Sequence, residues 1–382
     1  EYSFVCFGGA IKHTDYQPQK FDKYGDDLVV YPVDGYGSAD AVRSIIRTEK
    51  PDMLWFMTDP RFFAWLWEIE DEIRSLIPMV YYHVWDNYPY PTFNKVWYDS
   101  NDFIAAISKV THDIVQNVAP DVDTAYLPHA VNTSIYKEAS EEDKLKLRKE
   151  SGFSEDKFVV FWNNRNARRK QPGTLIFWFK EFLDKVGHDK ATLLMHTDPN
   201  DVNGPNLHAI IQNLGLLQGQ VKFSVNKVDF EHLAAMYNIA DVTVNVSDAE
   251  GFGLSTLESL CCGTPIIVNM TGGLQEQVTD GENWFGIGLE PSSKSIIGSQ
   301  DIPFIYEDRL NKEEFIDALE KIYNMSKEER SEMGRLGCDY VNRKYNFSKY
   351  INKWRQTLKD VHEKHGSWDT RKNYKAWELL EV

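Results

Sequence analysis

Short apolar runs alternate with amphipathic stretches along most of the chain. In the first third, the apolar runs predict strands. Between these runs, apolar residues recur at helical spacing, which predicts helices. The predicted strands are 3–7, 27–32, 53–57, 79–83, 103–107 and 124–127, and the predicted helices are 38–48, 62–76 and 110–118. Residues 128–138, "PHAVNTSIYKE", then indicate a linker.

The second part of the chain repeats this alternation. It predicts strands at 158–162, 191–195, 221–224, 241–246 and 265–268, and helices at 174–186, 207–214, 230–238, 255–262 and 313–323. Strands that alternate with helices at this spacing form parallel sheets with right-handed crossovers. The predicted fold is therefore α/β, with two Rossmann-like domains whose parallel sheets face each other across a cleft. We place the domains at residues 1–135 and 136–346, and we expect a C-terminal helical segment, 347–382, to cross back onto the first domain.

Composition and charge narrow the classes of function. Of the 382 residues, 42% are hydrophobic and 13% are aromatic, which is enough for large cores in two domains. The formal net charge of −16 argues against nucleic acid as a partner, because such binding usually needs a basic surface. No stretch approaches the roughly 18 apolar residues of a membrane span. The four cysteines are expected to be reduced, which predicts a cytoplasmic protein.

The segment "SDAEGFGLSTLESLCCGTPI", residues 247–266, carries the strongest chemical pattern. It leaves a predicted strand, passes through a glycine-rich turn at Gly251 and Gly253, and enters a helix. Glycines let a ligand approach the backbone closely, and the free N–H groups at a helix start attract anions such as a diphosphate. Glu258, one turn into the helix, is placed to accept hydrogen bonds from the adjacent hydroxyls of a ribose. Glu250 lies at the mouth of the loop, where the ligand continues beyond the phosphates.

A second loop supplies the positive charge that a diphosphate site needs. The stretch "FWNNRNARRKQP" follows a strand of the same predicted sheet and holds Arg165, Arg168, Arg169 and Lys170. A solvated basic loop is the alternative interpretation. We call this stretch, residues 161–172, the basic loop, and the turn that holds Glu250, residues 247–253, the glutamate loop. Because the two loops leave the same sheet at the same strand ends, we expect them to meet.

These motifs resemble those of one enzyme family. The stretch "EGFGLSTLE", with seven residues between Glu250 and Glu258, followed by "GTPII" and "TGGLQE", is similar to the donor-site motif of retaining GT-B glycosyltransferases, family 4 (group 1) in particular. The stretch "YLPHAVNTSIYK" resembles the interdomain segment of that family, with Ala130 where Gly is common and Asn132 where Asp is common. The resemblance covers roughly residues 108–345 and implies the GT-B fold, with an acceptor-side first domain and a donor-binding second domain.

The resemblance also implies roles for individual residues. Arg165 and Lys170 would hold the diphosphate, Glu258 the ribose and Glu250 the donor sugar, and a His at a strand end of the first domain, here His83, would lie near that sugar. The set implied for catalysis is thus Glu250, His83, Arg165 and Lys170. The set implied for donor binding is Glu258, Gly251, Phe252, Gly253, Leu254, Ser255, Gly272 and Gly273. No metal and no cofactor are expected, since no Asp-x-Asp pair of the kind that carries Mn²⁺ stands out and the Arg and Lys side chains would stabilise the leaving diphosphate instead.

For some polar residues at the strand ends, a purely structural role is an alternative to contact with a ligand. His83 fits a structural position at the cleft edge as well as a substrate contact. Asp86, in "YYHVWDNYPYP", fits a turn or capping residue better than a ligand. His196 and Asp198, in "MHTDP", fit the capping of a strand end at least as well as a ligand contact.

The predicted function is transfer of a sugar from a nucleotide-diphospho-sugar to a carbohydrate or small hydroxyl acceptor, with retention of configuration and without a metal. Two alternatives stay open. One is an epimerase that converts a nucleotide sugar without an acceptor, and the other is a catalytically silent nucleotide-sugar-binding protein of the same fold. The base, the sugar and the acceptor are not fixed by the sequence.

Overall fold

The computed structural model describes residues 2–9 and 12–375, so the last seven residues of the predicted segment 347–382 lie outside the described part. The first part of the chain alternates strands and helices. Its elements are β1 Phe4–Gly8, β2 Gln19–Phe21, β3 Gly25–Pro32, α1 Ala39–Glu49, β4 Leu54–Met57, α2 Ala64–Trp67, α3 Glu70–Arg74, β5 Met79–His83, α4 Lys95–Asp99, β6 Phe103–Ala106, α5 Lys109–Val118 and β7 Asp123–Tyr126.

These strands form two sheets. β1 pairs with β3 in parallel and β2 pairs with β3 antiparallel, while β4, β5, β6 and β7 pair in that order and are all parallel. Every residue of β5 is buried. A strand covered on both faces has no exposed side, which explains why its sequence is a continuous run without polar alternation.

The second part of the chain contains a larger parallel sheet. Its elements are α6 Glu141–Glu150, β8 Phe158–Asn163, α7 Pro172–Val186, β9 Ala191–His196, α8 Leu207–Asn213, β10 Val221–Ser224, α9 Phe230–Ile239, β11 Val242–Asn245, α10 Leu254–Cys261, β12 Ile266–Asn269, β13 Gly286–Leu289, β14 Ser293–Ile297, β15 Ile305–Arg309, α11 Lys312–Asn324, α12 Lys327–Lys344 and α13 Phe347–His365. The sheet order is β10-β9-β8-β11-β12-β13.

This order contains a reversal that creates a crevice. From β8 the chain proceeds outward through β9 and β10, and from β11 it proceeds in the other direction through β12 and β13. β8 and β11 are therefore neighbours whose following connections diverge. In open parallel sheets, ligands bind beyond the carboxyl ends of the strands at such a point.

The helix α13 lies against the first part of the chain. Trp354 packs edge-to-face on Trp55 of β4, with ring centroids 5.7 Å apart. Beyond the helix, Trp368 donates from its indole nitrogen to the carbonyl of Pro51 at 3.0 Å, and Arg371 pairs with Asp102 at 2.8 Å. The division between residues 135 and 136 stays a prediction.

Several local features differ from the prediction, which also lacks the short elements β2, α4 and β13. The single helix predicted at 62–76 is broken, because Phe63 and Ile69 leave helical geometry. The short helices α2 and α3 that follow these two residues place Leu66, Trp67 and Ile73 in the core. The antiparallel hairpin of β14 and β15 was not predicted. Nor was α12, whose Gly334 weakens the helical pattern but is required, since a Cβ there would collide with the carbonyl of Gly263.

The cysteines Cys6, Cys261, Cys262 and Cys338 are free thiols. Within residues 2–9 and 12–375, no helix combines the length and the apolar character that crossing a lipid bilayer requires.

Candidate active site

The glutamate loop and the basic loop meet, in agreement with the prediction from their strand ends. β11 pairs in parallel with β8, so the segments that follow these strands start side by side. The backbone N–H of Asp248 donates to the carbonyl of Arg169 at 2.8 Å, and the Arg169 guanidinium donates to the carbonyl of Ala249 at 2.5 Å. The two loops form one surface at the crevice of the sheet.

Lys170 and Glu250 form an ion pair at the centre of this surface. Lys170 is only 7% exposed, and Asn245 of β11 also donates to the Glu250 carboxylate at 3.4 Å. Burial alone would raise the pKa of Glu250, but the charges of Lys170 and Arg169 outweigh it and hold that pKa below its usual value. Glu250 is therefore an anion at neutral pH that is already satisfied by a cation.

Two glycine segments close around Glu250 through backbone contacts. Gly272 has a φ of +47°, and a Cβ there would collide with the carbonyl of Glu250. The N–H of Gly273 donates to that same carbonyl at 3.0 Å. Gly253, with a φ of +91°, is the residue before α10. Side chains larger than hydrogen are disfavoured at Gly253 and Gly272, so the backbone itself lines the surface.

Of the residues next to the glycines, Phe252 lies in the core, and Leu254 and Ser255 face the cleft. Phe252 is 4% exposed, and its ring lies 6.0 Å from that of Tyr345 and 6.2 Å from that of His129. Only its backbone can contact a ligand. Leu254 and Ser255 open α10 and are accessible, and their N–H groups belong to the unpaired start of the helix.

Glu258 lies one turn further along α10 and is half-buried. The hydroxyl of Tyr237 donates to its carboxylate at 2.7 Å, and Tyr237 in turn accepts from Asn163 at 2.8 Å. Burial raises the pKa of Glu258 to about 7, even though the bond from Tyr237 favours the charged form.

The three arginines of the basic loop have different partners. Arg165 is mostly exposed and pairs with Asp201, with Nε–Oδ2 at 2.5 Å. Arg168 pairs with the buried Glu307 of β15 at 2.5 Å. Arg169, which the predicted site set omitted, contacts the glutamate loop as described above. Its place in the basic loop, between Arg168 and Lys170, was the available signal.

His83 does not reach this surface. Its side chain is fully buried, and its Nε2 lies 2.6 Å from the Tyr98 hydroxyl. Burial lowers the pKa of His83 to about 3, so the ring is neutral. The structure therefore places His83 in the core of the first part, where its ring lies near that of Tyr81. This position corrects the expectation of a cleft-edge histidine, because β5 is buried on both faces and the ring turns inward.

Asp86, three residues beyond His83, faces the surface instead. Burial raises the pKa of Asp86 to about 6, and Arg169, Glu250 and Lys170 all act on it electrostatically. His196 and Asp198 fit their capping alternative: His196 lies 2.9 Å from the Ser224 hydroxyl, and Asp198 accepts from the Asn200 N–H at 2.9 Å.

The hairpin of β14 and β15 spans the cleft. On the side of the first part, Ile302 enters the core and Phe304 packs edge-to-face on Phe93, with centroids 5.2 Å apart. On the other side, Glu307 accepts from Arg168, and the Asp308 N–H donates to the carbonyl of Asp248 at 3.0 Å. The hairpin thus joins the first and second parts of the chain beside the candidate site.

Comparison with known proteins decides the family. Residues 143–337, just over half of the chain, match the family described as glycosyl transferases group 1. The chain belongs to this family. The resemblance drawn from the motifs is thereby confirmed, and with it the prediction of a glycosyltransferase-class enzyme at the level of the family.

Curated relatives of this group 1 glycosyltransferase match it over shorter segments. D-inositol 3-phosphate glycosyltransferase 2 of Catenulispora acidiphila is 31% identical over 150 residues, which cover 37% of this chain and 34% of that protein. N-acetyl-alpha-D-glucosaminyl L-malate synthase of Bacillus anthracis is 25% identical over 239 residues, or 61% of this chain and 58% of that protein. The chain thus spans about a third of the first relative and under two thirds of the second.

Solved structures establish the fold of this group 1 glycosyltransferase. Sucrose-phosphate synthase from Thermosynechococcus elongatus superimposes with a TM-score of 0.73 at 16% identity, covering 94% of this chain and 89% of that chain. HepE of Anabaena, solved with UDP and glucose, gives 0.65 at 18% identity, covering 87% and 86%. The GT-B fold predicted from the resemblance is confirmed.

Proposed function

We propose that the protein is a retaining glycosyltransferase that moves a sugar from a nucleotide-diphospho-sugar to a hydroxyl acceptor without a metal. The observation that carries this proposal is the Lys170–Glu250 ion pair, which lies beside the start of α10 at the crevice between β8 and β11. Cation, carboxylate and free backbone N–H groups occupy the place where a parallel sheet binds nucleotides.

The diphosphate would lie between the basic loop and the start of α10. Lys170 and the N–H groups of Leu254 and Ser255 would hold its oxygens. Arg165 would join them, because its present pair with Asp201 is at the surface, where ion pairs contribute little to stability, so the exchange costs little. Arg169 adds a fixed positive charge nearby.

The two glutamates would bind hydroxyls on either side of the diphosphate. Glu258 would accept from the ribose, since its carboxylate already accepts from the Tyr237 hydroxyl and retains further lone pairs. Glu250 would accept from the sugar, in company with backbone groups of Gly251, Gly272 and Gly273.

The reaction follows from this arrangement of charge. The bond between the anomeric carbon and the diphosphate oxygen breaks, and a bond from that carbon to the acceptor oxygen forms on the same face. The acceptor proton passes to the leaving phosphate oxygen. Lys170 and Arg165 would stabilise the negative charge that develops on the diphosphate, which is the role a metal plays in other transferases. Holding donor and acceptor in this geometry supplies much of the rate.

A donor screen tests the proposal. The full chain is incubated with UDP-glucose, GDP-mannose and ADP-glucose, and the released nucleotide is measured. UDP-glucose comes first because HepE was solved with UDP and glucose. We expect release of a nucleoside diphosphate from at least one donor, and a large loss in Lys170→Ala. Lys180→Ala is the matched control, because Lys180 lies on α7 and pairs with Asp184 away from the crevice.

The same screen separates the alternatives. Conversion of the nucleotide sugar to an isomer, with no free nucleoside diphosphate, indicates an epimerase. Donor binding without turnover in the presence of a broad set of hydroxyl acceptors indicates a silent binding protein. Either result contradicts the proposed transfer.

A further inference from the structure

Asp86 lies close to Gly251 and Gly272, two glycines of the candidate active site. A Cβ on Gly251 would lie 3.0 Å from the carbonyl of Val84 and 4.0 Å from Asp86 Oδ2. A Cβ on Gly272 would lie 3.3 Å from the Asp86 Cβ. The first part of the chain therefore approaches the two glycine segments here, with a carboxylate at the point of approach.

The surroundings of this carboxylate are charged but leave it available. Arg169 and Lys170 attract it and Glu250 repels it. In the described part of the chain, no side chain donates a hydrogen bond to it. Burial removes much of the water around the carboxylate, although part of the residue's surface stays exposed. A carboxylate with unused acceptor capacity beside glycine backbone is suited to receive hydroxyl groups.

The β15 strand fixes Asp86 relative to Glu250. The side chain of Asn87, next to Asp86, donates to the carbonyl of Tyr306 at 2.8 Å, and the Tyr306 N–H donates to the carbonyl of Tyr88 at 2.6 Å. Two residues later, Asp308 bonds to Asp248, two residues before Glu250. One short strand thus joins the segments that carry the two carboxylates.

We propose that Asp86 is a substrate-contacting residue, which accepts a hydrogen bond from a hydroxyl of the sugar carried by the nucleotide, on the side opposite Glu250. This inference rests on the proposed function. A phosphate is excluded as the partner of Asp86 by charge, and Lys170 with Arg169 provides the better site for it. A sugar is the part of the ligand that offers several hydroxyls, and Asp86 and Glu250 are close enough to act on each other electrostatically.

The test compares each nucleotide with its sugar-bearing form. Calorimetric titration uses three matched pairs, UDP and UDP-glucose, GDP and GDP-mannose, ADP and ADP-glucose, on the full chain. The variants are Asp86→Asn, Asp86→Ala and the control Asp99→Asn, which removes an exposed carboxylate on α4 that pairs with Lys95. For the pair that binds, both Asp86 variants are expected to lose about tenfold in affinity for the nucleotide sugar and less than about twofold for the nucleotide.

Each outcome bears on the inference. Equal losses for nucleotide and nucleotide sugar would mean that Asp86 only supports the fold, and no change in either would mean that it contacts no sugar. Both overturn the inference and leave the proposed function standing. If the wild-type chain binds none of the six compounds, the proposed function fails and the inference falls with it.

Discussion

Lys170 and Glu250 lie 80 positions apart in the chain and meet as an ion pair at the crevice of the second sheet. Neither side chain is more than 13% exposed. The pair exists because β8 and β11 are neighbours, so that the loops after them converge. Under the proposed function, a diphosphate would meet a cation whose charge is already balanced and would share Lys170 with Glu250.

This relationship predicts strong coupling in stability. Lys170→Met leaves the Glu250 carboxylate without its partner and should lower the free energy of unfolding by about 3 kcal/mol. Lys170→Met combined with Glu250→Gln should cost much less than the sum of the single changes, because no uncompensated charge remains. Urea unfolding of wild type, Lys170→Met, Glu250→Gln and the double variant measures the cycle. Strictly additive losses would show that the two side chains do not interact in solution.

Ionisation of Glu258 is predicted to lower the free energy of unfolding as the pH rises. Its pKa is about 7 in the folded chain and near 4.5 when unfolded, so the folded state binds the proton more tightly. The resulting stabilisation is present below about pH 4.5 and is lost as the pH rises to about 7. Glu258→Gln keeps the acceptor for Tyr237 and removes this loss.

Unfolding in urea at pH 5 and pH 8 checks this prediction. The Gln variant should gain on the order of 1 kcal/mol over wild type at pH 8 and little at pH 5, while its affinity for the cognate ribonucleotide falls. The same stability difference at both pH values would show that Glu258 does not titrate in this range.

Arg165 and Asp201 offer a paired test of the phosphate site. Arg165→Ala should weaken binding of the cognate nucleoside diphosphate by about tenfold, as expected for loss of one charge-assisted bond. Asp201→Asn should leave that affinity equal or slightly higher, because it removes the carboxylate that competes for the arginine. Calorimetry with the nucleotide decides between these directions. Unchanged binding in the Ala variant would remove Arg165 from the site.

The hairpin provides a matched pair of isoleucines. Ile302 is 8% exposed and lies in the core of the first part, whereas Ile296 on the same hairpin is 65% exposed. Ile302→Ala should cost about 2–4 kcal/mol of stability, and Ile296→Ala less than about 0.5 kcal/mol. Hydrogen exchange at the Tyr306 amide, which bonds to Tyr88, should also accelerate in the first variant only. Equal effects of the two substitutions would mean that the hairpin does not hold the first and second parts of the chain together.

Much of the fold could be predicted because it depends on local patterns. The strands of the large sheet are apolar runs with turn residues at their ends, and parallel pairing brings those ends together. Parallel pairing and loop composition are therefore sufficient to predict that the loop of Glu250 meets the loop of Lys170. Local patterns fail for Gly334 of α12, where close helix packing requires a residue that weakens the helical pattern.

The part of the candidate site that comes from the first part of the chain depends on long-range contacts, which no local sequence pattern shows. β5 is buried on both faces, so its sequence does not tell which way His83 points, and the ring turns to Tyr98. Asp86 fits a turn residue by sequence because its neighbours, Gly251 and Gly272, lie in the other half of the chain. The hairpin was not predicted for the same reason, because its stabilising partners include Phe93, which lies over 200 positions earlier in the chain.

Retaining transfer at this site is tested most directly by a proton NMR time course of the full chain with the α-linked nucleotide sugar identified by the donor screen. We expect a nucleoside diphosphate to appear together with a product whose first-formed anomer is α, whether water or an added hydroxyl compound is the acceptor. Glu250→Gln should slow this strongly, and Lys180→Ala should not. A β anomer as the first product would contradict retention, and the absence of any released nucleoside diphosphate would contradict glycosyl transfer at this site.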